Sequence, residues 1–224
     1  MGNELQIGIV DSGHAPEQAP LVLAGRRFFL TDEGVGESDL GADALGHGSV
    51  VLQAIAARAP DTRFSVAQVF DGRGVTSPLQ ITAALHWLRD RGVRLVNLSL
   101  GVRQDRPLLR EAVAALVADG VLVCASSPAQ GEPVFPASYP GVIRVTGDAR
   151  CGAGEWSWLN SPQADFGAAV SGGAGQAGAS LGCAAFCGHL AALLAENPGA
   201  DKQWLLQRMR EGAAYKGREF RVAP

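Results

Sequence analysis

Three residues of the types that nucleophilic catalysis needs stand at junctions in this sequence. Asp11 ends the apolar run 5–10, His47 lies within Gly46-His47-Gly48-Ser49, and Ser180 follows a tract of small residues at the mouth of a helical stretch. A carboxylate can orient and charge-balance an imidazole. The imidazole can then take a proton from a serine hydroxyl and return it to a departing amine. Backbone N–H groups in the first turn of the helix that carries Ser180 would add positive potential toward a developing oxyanion. Taken singly, each residue has a plainer reading: Asp11 as a strand-end turn, His47 as a helix-terminal histidine, Ser180 as a helix cap.

Positioning these groups requires strands and helices in alternation. Residues 5–10 read as a buried strand, 49–59 as a buried helix closed by Pro60, and 64–70 as a second strand. Ser77-Pro78 opens a helix to about Arg91, with Gly92 as its stop. Residues 93–100 form a third strand, and Asp105 is expected to cap a helix that has Pro107 in its first turn and ends at Gly120. Strands are expected at 121–125 and 142–146, a short hairpin around Trp156 and Trp158, and helices over 180–196 and 201–211. Residues 31–46, rich in Gly, Asp and Glu, read as an exposed loop. This alternation predicts an α/β fold: one three-layer domain over 1–224, its mostly parallel sheet covered by helices on both faces. In such sheets reactive groups gather at the carboxyl ends of the strands.

The residues around the three groups carry more information than their spacing. Ile9-Val10-Asp11-Ser12-Gly13 resembles the aspartate motif of the subtilisin-like serine peptidases, and Gly46-His47-Gly48-Ser49 their histidine motif. Gly178-Ala179-Ser180-Leu181-Gly182, continuing to Gly188, resembles their serine motif. Asn97-Leu98-Ser99-Leu100-Gly101 resembles their substrate-pairing strand, and 135–140 their Tyr-Pro-Ala-x-Tyr-Pro stretch. The order Asp, His, Ser agrees with subtilisins and is opposite to that of α/β-hydrolases. The resemblance spans nearly the whole chain. It implies a subtilisin-like fold, a serine endopeptidase with Asp11, His47 and Ser180 as its triad, no cofactor and no metal. Substrate would add as an extended strand along Ser99, Leu100 and Gly101, with a second edge near 71–74.

The sequence also departs from that family. Where subtilases have Ala-Ala-Gly-Asn, with the Asn donating to the oxyanion, this chain has Ser126-Ser127-Pro128-Ala129, and Ala129 falls at the Asn position. Losing such a donor costs about 10²–10³ in turnover. The Ser180 N–H remains, and Ser127 or Gln130 are the replacement candidates. Ala184 stands where the family has a proline four residues after the serine. Asp11 leaves too little preceding sequence for a pro-domain, and the short length leaves little room for calcium-binding loops. Together these features resemble small bacterial subtilases that remove leader peptides from enzymatically modified polypeptides. The expected setting is cytoplasmic, and the expected partners are a leader-bearing precursor and its modifying enzyme. The alternative is a catalytically weak or inactive peptide-binding module on the same fold.

Bulk properties exclude other classes. The 224 residues suffice for one sizeable core, and a net charge of −3 gives no electrostatic reason to bind nucleic acid. The sequence has neither a membrane-length apolar run nor a secretory signal. Asp11-Ser12-Gly13-His14 provides no phosphate-cradling glycine motif. Cys124, Cys151, Cys183 and Cys187 lack paired zinc spacing and read as free, buried thiols. His14, His86, His189, Trp156 and Trp158 read as packing or surface residues, and Arg26, Arg27, Arg89 and Arg91 as solvated charge.

Overall fold

A computed structural model of the chain describes residues 5–170 and 178–219. Its strands are β1 (Gln6–Asp11), β2 (Val22–Thr31), β3 (Gly34–Ser38), β4 (Arg63–Gln68), β5 (Leu95–Leu98), β6 (Leu122–Ser126), β7 (Ile143–Gly147), β8 (Trp156–Trp158), β9 (Phe166–Ala168) and β10 (Tyr215–Lys216). Its helices are α1 (His47–Ala56), α2 (Pro78–Asp90), α3 (Pro107–Ala118), α4 (Ala179–Glu196) and α5 (Lys202–Glu211). The strands form one sheet in the order β10-β8-β9-β7-β6-β5-β1-β4-β2-β3. Pairing is parallel everywhere except at β2–β3 and β8–β9.

Side-chain alternation divides the interior into two cores. Ile7 and Ile9 of β1, Leu95 of β5 and Cys124 of β6 face α1 and α4, packing with Leu52, Ile55, Phe186 and Leu190. Val10, Val96, Leu98, Val123 and Ala125 face α2 and α3, packing with Leu85, Leu88, Val113 and Leu116. Two covered faces explain why the strands read as near-continuous apolar runs. Helix α4 is long and apolar enough to cross a membrane, but it is the central helix of the first core, with Cys183, Ala184, Phe186, Cys187, Leu190 and Ala191 buried along it.

Several expectations need correction. Residues 31–46 are not a loop throughout: β2 and β3 form a hairpin turning at Asp32-Glu33, with Arg27 opposite Ser38 and Leu30 opposite Val35. β2 also pairs in parallel with β4. The polar, glycine-rich composition hid these strands because their identity comes from pairing rather than from an apolar alternation. Asp105 does not cap α3: Arg106 occupies that position, and the Asp105 carboxylate pairs with Arg110. Arg26 and Arg27 are half-buried in β2 rather than solvated. The small-residue tract at 171–177 lies outside the described residues.

Candidate active site

Alternation along β1 puts Asp11 on the same side as Ile7 and Ile9, toward α1. Helix α1 begins at His47 itself, and its glycine lets it approach closely: a Cβ on Gly48 would stand 2.3 Å from Gly13 O. His47 Nδ1 therefore reaches Asp11, at 2.7 Å from Oδ1 and 3.0 Å from Oδ2. An ionised carboxylate only accepts, so the proton sits on Nδ1 and Nε2 is left as the basic nitrogen. Asp11 is fully buried, and its Oδ1 also accepts from the Ser12 N–H (2.8 Å) and hydroxyl (3.2 Å).

Two residues that the sequence reading passed over hold this pair. The Ser12 hydroxyl accepts from Gly48 N–H at 2.9 Å while donating to Asp11, tying the strand end to the helix start. The Asp43 carboxylate accepts from Gly46 N–H, Ser49 N–H and the Ser49 hydroxyl at 2.9, 2.9 and 2.6 Å. It thus satisfies amides of the first turn of α1, which has no side-chain cap at Gly46. Burial pushes the Asp43 carboxyl up, but these hydrogen bonds together hold it below its ordinary range. An aspartate three residues before the Gly-His-Gly-Ser motif was a readable capping signal. The hydrogen bond to Asp11 raises the His47 pKa; burial opposes this, and the charges of Asp11 and Asp43 add to the rise.

Ser180 arrives from the other end of the chain. Alternation along β5 sends Asn97 and Ser99 to the α4 side, and a Cβ on Gly182 would stand 2.3 Å from Thr146 O, so α4 begins pressed onto the sheet. The Ser180 hydroxyl donates to Ser99 O at 3.1 Å, and the Ser99 hydroxyl donates to Ser180 O at 3.0 Å. Asn97 Nδ2 supports Ser99 Oγ at 2.9 Å. Among the described residues, then, the Ser180 hydroxyl is engaged by Ser99 rather than by His47. Ser180 is the second residue of α4, so its N–H has no helical acceptor.

The replacement donors fare unequally. Ser127 N–H extends the ladder to Val145 O (2.8 Å), and one further alternation turns its side chain away from the α4 side. Its hydroxyl donates to Gln163 O at 2.6 Å, so Ser127 is a structural residue and not an oxyanion donor. Gln130 is exposed and lines a cleft of about 480 Å³ together with Gly147, where a Cβ would stand 3.1 Å from Gly178 O.

The expected substrate segment, Ser99 to Gly101, follows the end of an interior strand. β5 is interior, flanked by β1 and β6, so open backbone exists only where the chain runs past Leu98. Even there Ser99 O accepts from Ser180, and Leu100 O from the Ser126 hydroxyl at 3.3 Å. Gly101 is exposed, and Val102 bridges to Phe135. Residues 71–75 are a self-bonded turn rather than a second edge, since Asp71 N–H donates to Val75 O and the Asp71 carboxylate accepts from the Arg73 and Val75 amides.

Other candidates fall into structural roles. His189 lies against Trp156 (4.9 Å between ring centroids) and accepts from Arg58 Nε at 3.1 Å. Burial, then the Arg58 charge, lowers its pKa to about 4. His14 Nδ1 contacts Ala15 O, and His86 is exposed. All four cysteines are free and buried, and burial raises Cys151 to about 11. Among the described residues no group of three or more His, Cys, Asp or Glu is placed to hold a metal ion.

A cold-adapted subtilisin-like serine proteinase of known structure superimposes with a TM-score of 0.72 at 18% identity, covering 94% of this chain and 84% of that one. The fold is that of the subtilisins. Within this subtilisin fold, sequence similarity extends to subtilisin DY of Bacillus licheniformis, 28% identical over 64% of this chain and 56% of that protein. It extends also to the major intracellular serine protease of Bacillus subtilis (strain 168), 28% identical over 64% of this chain and 51% of that protein. The chain spans about half the length of these two relatives. No family model matches it.

Proposed function

We propose that this chain is a serine endopeptidase in which Asp11, His47 and Ser180 act as the catalytic triad. The observation that carries this reading is the hydrogen bond between buried Asp11 and half-buried His47, which leaves a basic Nε2 at the same end of the sheet as the helix start bearing Ser180. In this reading the Ser180 hydroxyl leaves Ser99 O and donates to His47 Nε2. Its oxygen attacks the substrate carbonyl, and the proton passes through His47 to the departing amine. Water then attacks the acyl-enzyme, losing its proton to His47, and Ser180 leaves as the hydroxyl. The Ser180 N–H faces the oxyanion, with Gln130 as the side-chain candidate beside it. The names of the two sequence relatives support the same chemistry.

The finer proposal concerns substrate. We propose a cytoplasmic processing enzyme that removes a leader peptide from an enzymatically modified polypeptide, of the kind that matures the small cross-linked subunit of quinohemoprotein amine dehydrogenase. The motif departures at Ala129 and Ala184 support a slow enzyme whose specificity comes from presentation of its peptide, and the modifying enzyme is its expected partner. A second reading, a peptide-binding module with little turnover, is favoured by the engagement of Ser180 with Ser99 and by the commitment of Ser127 to Gln163.

A fluorophosphonate probe separates the two. The native protein should label at Ser180 and cut a leader-bearing precursor at one site by mass spectrometry, and Ser180→Ala should do neither, losing about 10⁶-fold in turnover. A folded native protein that neither labels nor cuts favours the binding module.

A further inference from the structure

A second cleft, of about 160 Å³, opens beside the His47 loop, between residues 41–45 and the turn at 70–72. Ser12, the neighbour of Asp11, forms part of its wall, and Arg27 of β2 another. Its polar groups can be accounted for one by one. Ser12 is spent on Asp11 and Gly48. The Gln68 amide group donates to Ser12 O (2.7 Å) and Ala42 O (3.2 Å), and its oxygen accepts from Gly41 N–H (2.8 Å), which makes it a fixed floor. The Asp71 carboxylate is held by the Arg73 guanidinium at 2.8 and 3.0 Å and by two backbone amides.

Arg27 differs from all of these. Among the described residues it has no hydrogen bond and no ion pair; its guanidinium sits 5.9 Å from the Phe29 ring centroid, a cation–π distance, and near Gly41. Its neighbour Arg26, on the opposite face of β2, is the one directed at Glu37 and Asp39. A half-buried guanidinium with unspent donors, in a cleft whose other side chains are committed, is a fork without its carboxylate.

We infer that this cleft is a subsite for an acidic side chain of the bound polypeptide, with Arg27 as the specificity-determining residue. The inference rests on the peptidase reading for its place near the scissile bond, but not for the recognition itself. The geometry sets the range. β5, which leads directly into Ser99 beside Ser180, is separated from β2 by β1 and β4. At about 4.8 Å per strand that is roughly 14 Å. An extended peptide advances about 3.4 Å per residue, so a Glu or Asp within a few residues of the cut, its side chain extended, can reach Arg27.

A position-scanning peptide series tests this, each member carrying Glu, or Gln as its neutral isostere, at one position. Cleavage by the native protein should favour Glu about tenfold at one position only, the scale of a single charge-assisted pair. Arg27→Gln should abolish that preference while cutting the all-neutral peptide as before. Arg27→Lys should keep part of it, because charge survives but the planar fork does not. A parallel arm measures binding of the same peptides to Ser180→Ala by fluorescence anisotropy, so that failure of catalysis is distinguishable from failure of recognition. No Glu preference in either arm, or a preference that survives in Arg27→Gln, overturns the inference. Matched thermal unfolding of Arg27→Gln and the native chain secures the comparison.

Discussion

The two halves of the candidate site are built to different standards. On the Asp11–His47 side nearly every polar atom is tied twice: Asp11 accepts from His47 and Ser12, Ser12 also accepts from Gly48, and Asp43 satisfies the first turn of α1. The Ser180 side rests on one reciprocal pair with Ser99, and the adjoining loop offers exposed Ala129 and Gln130 where a fixed donor is expected. In the proposed mechanism the base is therefore pre-organised, whereas the nucleophile and its oxyanion donors are left for substrate to complete. In a low-dielectric site, fixed donors supply much of the rate enhancement, so in that mechanism the loosely built half sets the speed.

Breaking the well-built half should produce the largest effect. Asp11→Asn reverses the tautomer preference of His47 and should lower turnover by about 10⁴ with the fold intact, measured on the peptide that the native protein cuts best. Completing the weak half should act in the opposite direction. Ala129→Asn restores a side-chain donor at the family position and should raise kcat by up to about 10²–10³; an unchanged kcat would mean that the loop does not face the oxyanion.

The joint between the halves is the α1–α4 contact, where Arg58, just past the end of α1, donates to His189 of α4. His189 is held neutral, with a folded pKa of about 4 against an ordinary value of about 6.5. Between these values the unfolded chain binds the extra proton. The stability is therefore fully present above about pH 6.5, falls with acidification, and is lost below about pH 4, by up to about 3 kcal/mol. His189→Gln, which keeps an acceptor for Arg58 but cannot titrate, should flatten urea-unfolding stability across that window.

The smallest effect is expected at Asp43. Asp43→Asn should cost about 1 kcal/mol through the weakened helix start. Because the Asp43 charge helps to raise the His47 pKa, and the neutral imidazole is the base in the proposed mechanism, the acid limb of the pH–rate profile should move to lower pH. A limb that stays in place would confine Asp43 to a structural role.

The motif-bearing elements were legible because their residues have local causes. The apolar run ending in Asp11, Ser77-Pro78 opening α2 and a last helix near 201–211 all appear where expected, with Ser77 and Asp201 accepting from Gln80 and Trp204 amides. The β2–β3 hairpin was not legible, since its glycines and acids become strand only by pairing with β4 and with each other. Ser127 and Gln130 could not be ranked from the sequence either. Only the continuation of the β6 ladder through Ser127 decides that its side chain faces away.

The sequence by itself determined which groups are available and, through the motifs, the order in which the fold presents them. It also determined the loss of a donor at Ala129, because a methyl group cannot hydrogen-bond in any fold. The tertiary structure decided which of these groups meet. Asp11 and His47 are 36 residues apart and become hydrogen-bonded because the strand end and the helix start close on one another at Gly48. Ser180 reaches Ser99 across 81 residues because α4 packs against the face to which β5 sends that side chain. Arg27 acquired its significance in the same way: in the sequence it is one of two adjacent cations, and strand alternation sends one toward Glu37 and Asp39 and the other, without a hydrogen bond or ion pair among the described residues, into a cleft.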